Sequence, residues 1–180
     1  MYRNYSKKES VKLYICKPER SVTQTRVLLF SCALVSLTLF FVSTVVPAYK
    51  SLIEFCGIAA VMISILLIVR YALTEFEYSV GEGGFAVTKI VGNKRTPVCH
   101  VALETAIELM QKRDYDHLPS SEKAIIKYSL NQNIKAESYV FLCDFNGKRA
   151  MIEFEPNREF VAIVQNEIKN AKRNSENTNA

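Results

Sequence analysis

Side chains that bind metals or carry redox chemistry are scarce and scattered in this chain, which has two histidines and five cysteines in 180 residues. A secreted disulfide scaffold carries an even, clustered cysteine set. Here Cys16, Cys32, Cys56, Cys99 and Cys143 are odd in number, and two of them fall inside apolar runs. Reduced thiols facing a cytosol are the expectation. Also missing are a phosphate loop, a dinucleotide fingerprint, a serine-hydrolase elbow and a zinc-protease motif. Gly81-x-Gly83-Gly84 is a hairpin turn, because a strand and not a helix comes after it. Cys99-His100 is the one adjacent cysteine–histidine pair. Strand neighbours point to opposite faces, so the two do not easily share an ion; Cys143 could approach one of them across the sheet, but a third and fourth ligand are missing. His117 stands near Asp114 and Asp116 in a polar stretch, where a solvated loop is the ordinary reading and a catalytic or divalent-ion site the sharper one. No cofactor and no metal are expected.

Charge of one sign is also missing from most of the chain. From Thr74 onward there are fourteen basic and fifteen acidic residues. A nucleic-acid binder carries its basic patch on the folded domain, so nucleic acid is not an expected partner. The net charge of +5 comes from residues 1–26, where Arg3, Lys7, Lys8, Lys12, Lys17, Arg20 and Arg26 face Glu9 and Glu19. Such a segment sets membrane topology and favours anionic headgroups.

Directly after this basic segment comes an uncharged stretch of 23 residues, Val27 to Tyr49. A bilayer core needs about 20 apolar residues in a helix. A secretory signal has a shorter core and a small-x-small cleavage site, and neither is present. The second run, Phe55 to Val69, has fifteen uncharged residues and is extended by Leu52, Ile53, Tyr71, Ala72 and Leu73. It reads as a second span, with a re-entrant segment as the alternative. Arg70 can snorkel to the interface and Tyr71 suits the headgroup layer. The short turn Pro47–Ser51 makes an antiparallel hairpin of helices over about 27–48 and 52–73. Seven basic residues before it against Lys50 alone in the turn place both termini in the cytoplasm of a two-helix cell-membrane protein. Cys32, Ser36 and Ser43 on the first helix and Gly57, Ala60 and Ser64 on the second are spaced for close helix approach. They mark either the contact between the two helices or a dimer seam. Glu54 lies at the outer boundary.

Beyond residue 74 the period becomes two. Phe76, Tyr78 and Val80 share one face of a first strand, and Gly81–Gly84 turns the chain. Phe85–Val91 is a second strand, with a bulge expected near Lys89-Ile90. Gly92-Asn93-Lys94 turns it again into Arg95–Val101, where Pro97 suits an edge. Ala106–Met110 and Ala124–Leu130 are strand or short helix, and residues 111–123 read as a loop. Glu137–Asp144 and Lys148–Glu155 flank the hairpin signal Asn146-Gly147. In the latter strand Ala150, Ile152 and Phe154 face inward, and Arg149, Met151 and Glu153 outward. Asn157 is the expected N-cap for a helix with the stripe Phe160, Val161, Ile163, Val164 and Ile168. Residues 174–180 read as a disordered tail. The domains are therefore 1–26, 27–73, 74–173 and 174–180.

The motifs Glu77-Tyr78 through Gly83, Gly92–Arg95, Asn146–Lys148 and Phe154–Asn157, behind a helical hairpin, resemble uncharacterised bacterial membrane proteins with a pleckstrin-homology-like (PH-like) cytoplasmic domain. The resemblance implies a bent antiparallel sheet or barrel of about six or seven strands capped by a C-terminal helix. It implies no catalytic residues. Eukaryotic PH domains bind phosphoinositides through basic residues in an early strand loop, whereas the turn Gly81–Gly84 here is acidic. The expected function is a membrane-tethered, non-catalytic binding or regulatory module. Its contact surface would be a sheet edge or the 111–123 stretch, and Lys94 and Arg95 are candidate contacts for headgroups or a partner. The alternatives are an accessory subunit of a transport or secretion complex, and an enzyme with a site near Asp114–His117. Expected partners are the lipid bilayer and another membrane protein or a second copy.

Overall fold

The computed structural model describes residues 13–178, so Arg3, Lys7, Lys8 and Lys12 of the basic segment lie outside the described residues. Strand β1 (Tyr14–Cys16) comes first, then helix α1 (Val22–Val45), a 3₁₀ turn (Pro47–Tyr49), helix α2 (Lys50–Ile68) and a π-helical turn (Val69–Leu73). Strands β2 (Thr74–Gly81), β3 (Gly84–Val91), β4 (Lys94–Ala102) and β5 (Ala106–Gln111) come after them. Next are a short helix α3 (Lys112–Asp116), strands β6 (Ile126–Ser129), β7 (Tyr139–Phe145) and β8 (Lys148–Phe154), and helix α4 (Arg158–Thr178).

The Ser21 hydroxyl caps α1 by accepting from the Gln24 N–H at 3.4 Å. Both helices are long and apolar enough to cross a membrane, with mean hydropathies of 2.2 and 2.7. At about 1.5 Å per residue, the 24 residues of α1 reach across a hydrocarbon core of about 30 Å. Neither is the buried helix of a soluble core, since 6% and 0% of their apolar windows are covered by the chain.

The strands form two four-stranded sheets, β1-β2-β3-β4 and β5-β7-β8-β6, that do not close into a barrel. Between them lies one core, with Tyr78, Val80, Phe85, Val87, Phe141, Ile152 and Phe154 from the strands and Phe160, Val164 and Ile168 from α4. Phe85 stacks on Phe141 at 5.0 Å, and Tyr78 meets Phe154 edge-on at 5.3 Å. Asn157 accepts from the Phe160 N–H at 2.8 Å and so caps α4. The β7–β8 turn puts Asn146 at φ 53° and Gly147 at φ 74°, the left-handed pair a two-residue hairpin loop demands.

Five features depart from the sequence reading. β1 pairs antiparallel with β2, with Cys16 opposite Tyr78, so residues assigned to the basic segment belong to the folded domain. The β3–β4 bulge lies at Val87/Thr88, opposite Val98, and not at Lys89-Ile90. β6 runs parallel to β8, because it enters the sheet from a crossover and not from a hairpin. Met151 is buried, since α3 and the chain after it pack Tyr115, Ala124 and Leu118 on the outer side of the second sheet. The 111–123 stretch is thus a cover and not a free loop. Lastly, α4 runs on through Asn174 to Thr178, in place of the expected disordered tail; nothing in 174–178 breaks a helix.

Candidate functional site at the hairpin base

The hairpin is inserted between two strands that pair with each other. Five residues separate β1 from α1, and β2 starts directly after the π-helical turn. The short segments that enter and leave the hairpin are fastened to the domain by a polar network centred on Asn133. Its Oδ1 accepts from the Ser21 N–H at 2.7 Å. Its Nδ2 donates to the Glu19 carbonyl at 2.9 Å and to Glu155 Oε1 at 2.7 Å. The Asn133 N–H donates to Glu155 Oε2 at 3.0 Å. Beside it, Gln132 accepts from the Phe76 N–H and donates to the Thr74 carbonyl. Both side chains are buried, and such groups are stable there only when their partners are supplied.

Arginines close the network on both sides of the hairpin. Arg20 donates to the Thr74 carbonyl at 3.1 Å. Arg70 donates to the Ser129 carbonyl at 3.3 Å, and its guanidinium lies 4.8 Å from the Phe76 ring and 5.0 Å from the Tyr71 ring. Arg70 therefore folds back onto the domain. The Tyr78 hydroxyl donates to the Leu130 carbonyl at 2.8 Å and accepts from the Glu155 N–H at 3.2 Å. Burial drives its pKa well above the usual phenol value, so it stays a donor. Among the described residues, the buried side-chain polar atoms without a partner are Arg20 Nε, Arg70 Nη1 and Asn131 Oδ1, all at this boundary.

Strand register brings the β3–β4 turn to the same end of the domain, since Thr74 pairs with Val91 and Val91 with Lys94. Arg95 and Lys17, the latter at 2.8 Å, both engage the buried carboxylate of Glu77. Lys94 is exposed and has no partner among the described residues. The two turn cations are thus unlike: Arg95 is held in an ion pair on the sheet, and Lys94 projects from it.

On the hairpin, Cys32, Ser36, Gly57, Ala60 and Ser64 are half-buried and Ser43 buried, while Phe30, Phe40, Phe41 and Phe55 are exposed. Ser36, Ser43 and Gly57 line the groove between α1 and α2. Near the turn the seam opens into an apolar groove of about 470 Å³ that includes Ser36, Phe40, Ser43, Ile53, Glu54 and Gly57. Lys50 Nζ stands 3.9 Å from Glu54.

The remaining sequence candidates form no ligand set. Cys99 and Cys143 come from different sheets into the same core, and burial raises both thiols to about 11. His100 lies against Gly84, where a Cβ would sit 2.6 Å from its Nε2 and would displace the exposed imidazole. Asp114 and His117 are exposed, joined by a backbone hydrogen bond of 3.2 Å. Asp116 pairs with Lys112, and Tyr115 turns inward to accept from the Ala124 N–H at 2.8 Å. No three potential metal ligands cluster among the described residues.

The junction itself is not evident from the chain alone. Its one sequence signal is Asn131-Gln132-Asn133, a run of amides shortly after β6, where a turn is the ordinary reading. These folded parts, a PH-like arrangement of two sheets and a capping helix, define the class. The chain belongs to the family described as bacterial PH-like domain (DUF6106), which matches residues 14–173. That match opens at the first residue of β1, so the inserted hairpin lies within the family's span. Neither a curated protein nor a solved structure matches the chain.

Proposed function

We propose that the protein is a membrane-tethered, non-catalytic binding or regulatory module whose PH-like domain is held against the cytoplasmic face of the cell membrane. The observation that carries this reading is the pairing of β1 with β2 across the hairpin. Strands on either side of a two-helix insertion can pair only if both feet of the hairpin lie on one side of the bilayer. The excess of basic residues before α1 supports the cytoplasmic side. Asn133, Gln132 and Arg70 fix the domain at the hairpin's feet. A domain so held meets headgroups and neighbouring membrane proteins at high effective concentration. Lys94 is the proposed polar contact at that surface.

Two measurements on the full chain test this. Alkaline carbonate washing should leave it in the membrane pellet. A thiol label that cannot cross the membrane should miss a cysteine placed at Ser175 in intact cells and reach one placed at Ala48. Labelling at Ser175 in intact cells would overturn the topology. A second reading, an accessory subunit of a membrane transport or secretion complex, is favoured by the apolar groove beside Gly57. Photo-crosslinking from Ile58 to one defined membrane protein would support it; crosslinks to lipid alone would favour the tethered module.

A further inference from the structure

We infer that the hollow between the foot of α1 and the Ile134-Lys135 loop holds the headgroup and upper acyl chain of one anionic phospholipid. This rests on the reading that the hairpin spans a bilayer. The hollow measures about 350 Å³ and is walled by Gln24, Val27, Leu28, Ser31, Ile134 and Lys135. Its lower wall is apolar. Val27 begins the uncharged stretch of α1, so this wall lies where hydrocarbon gives way to headgroups. Its upper wall is polar.

Two features show that the loop is built to face outward here. Gln132 and Asn133 are buried, yet the next residue, Ile134, is 49% exposed. The loop cannot turn to bury it, because the Gln24 side chain holds the backbone of Lys135 on both sides. Gln24 Nε2 donates to the Lys135 carbonyl at 3.1 Å, and the Lys135 N–H donates to Gln24 Oε1 at 3.0 Å. An aliphatic side chain held out beside an apolar helix foot has lipid chains as its natural cover.

Charge selects the headgroup. Lys135 is exposed and carries no acidic partner among the described residues, and the same is true of Arg26 on α1. The nearest buried carboxylate, Glu155, is already occupied by the amide and N–H of Asn133. Glu137 is the one exposed acid in this loop. Lys135 is the one charged side chain that lines the hollow, and an ammonium on a flexible stem suits a phosphate as a point charge.

The test uses the full chain in nanodiscs of equal phosphatidylglycerol and phosphatidylcholine, transferred to mild detergent, with retained lipid counted by native mass spectrometry. The wild type should retain phosphatidylglycerol preferentially. Lys135→Glu should lower that retention by about fivefold or more, the effect of one lysine near an anionic surface, and Lys135→Arg should keep it. Ile134→Ser should weaken retention of both lipids. Lys148→Glu, in the β7–β8 turn far from the hairpin, should change nothing. Equal retention of the two lipids by the wild type, or equal losses for Lys135→Glu and Lys148→Glu, would overturn the site. Native membranes holding the same chains are washed with carbonate in parallel. A chain that stays in the pellet without lipid preference refutes the site alone; a chain released to the supernatant refutes the bilayer reading and the site with it.

Discussion

The same residue type has opposite surroundings in the two parts of this molecule. Phe40, Phe41 and Phe55 on the hairpin are 71%, 66% and 70% exposed, whereas Phe85, Phe141 and Phe154 in the domain are fully buried. Burial of a ring is favourable only relative to water. The domain creates its own apolar interior, and the hairpin needs one supplied from outside. Exposed apolar surface on this scale marks a membrane or a partner. The largest expected effect comes from that contrast. Phe154→Ala removes a ring packed on both Tyr78 and Phe85 and should cost about 3–5 kcal/mol. Phe41→Ala should leave the thermal unfolding of the domain within about 0.5 kcal/mol. Equal losses in detergent micelles would break the contrast.

The thiols of the domain interior offer a pH-dependent contrast with the hairpin. Burial raises Cys99 and Cys143 from the ordinary value near 9 to about 11. In each case the folded state binds the proton more tightly than the unfolded chain. Stability is therefore intact below pH 9 and falls between pH 9 and 11, as the unfolded chain loses protons that the folded one keeps. Denaturant titrations of the wild type and of Cys99→Ala/Cys143→Ala across this range should differ in slope, the variant being flatter. Equal slopes would mean that the two sheets admit water.

A smaller effect is expected where the two parts meet. Asn133→Ala strips the Ser21 N–H and the Glu155 carboxylate of partners and should cost about 2 kcal/mol, the penalty of leaving buried polar groups unpaired. Its signature is local. Hydrogen exchange should quicken in Tyr14–Cys16 and around Ser21, while β3 and β7 stay protected. Uniform loss of protection would mean that hairpin and domain unfold as one unit.

Long-period patterns are legible in the chain and short ones are not. The two apolar helices, the β2–β3–β4 succession and α4 with its Asn157 cap emerge from periodicity and turn chemistry over many residues. β1 escapes such reading because three residues, Tyr14–Cys16, carry too little alternation to register before Pro18. The parallel entry of β6 depends on a crossover that no local signal encodes. The cover over the second sheet does have a signal in the sequence. Val140, Phe141, Leu142 and Cys143 are continuously apolar and all buried, which is the mark of a strand covered on both faces. At the site, composition selects Lys94 and Arg95 but cannot separate them, since the distinction comes from Glu77, eighteen residues away on another strand.

That separation yields the smallest effect. Glu77 has a side chain only 8% exposed, and Arg95 and Lys17 are its two cationic partners. Arg95→Ala leaves it with Lys17 alone. Because Arg95 is itself more than half exposed, water screens the pair, and the loss should be about 1 kcal/mol or less. Lys94→Ala has no ion pair to break and should be silent in stability. The order reverses at the membrane. Lys94 projects from the turn at the hairpin's level, so Lys94→Ala should weaken recruitment of anionic lipid around the full chain, while Arg95→Ala, whose charge is already matched by Glu77, should do so less. Chemical denaturation and lipid retention measured on the same two variants decide it. If Arg95→Ala proved the more damaging in both, Glu77 would be neutralised by Lys17 alone, and Arg95 would be the membrane contact.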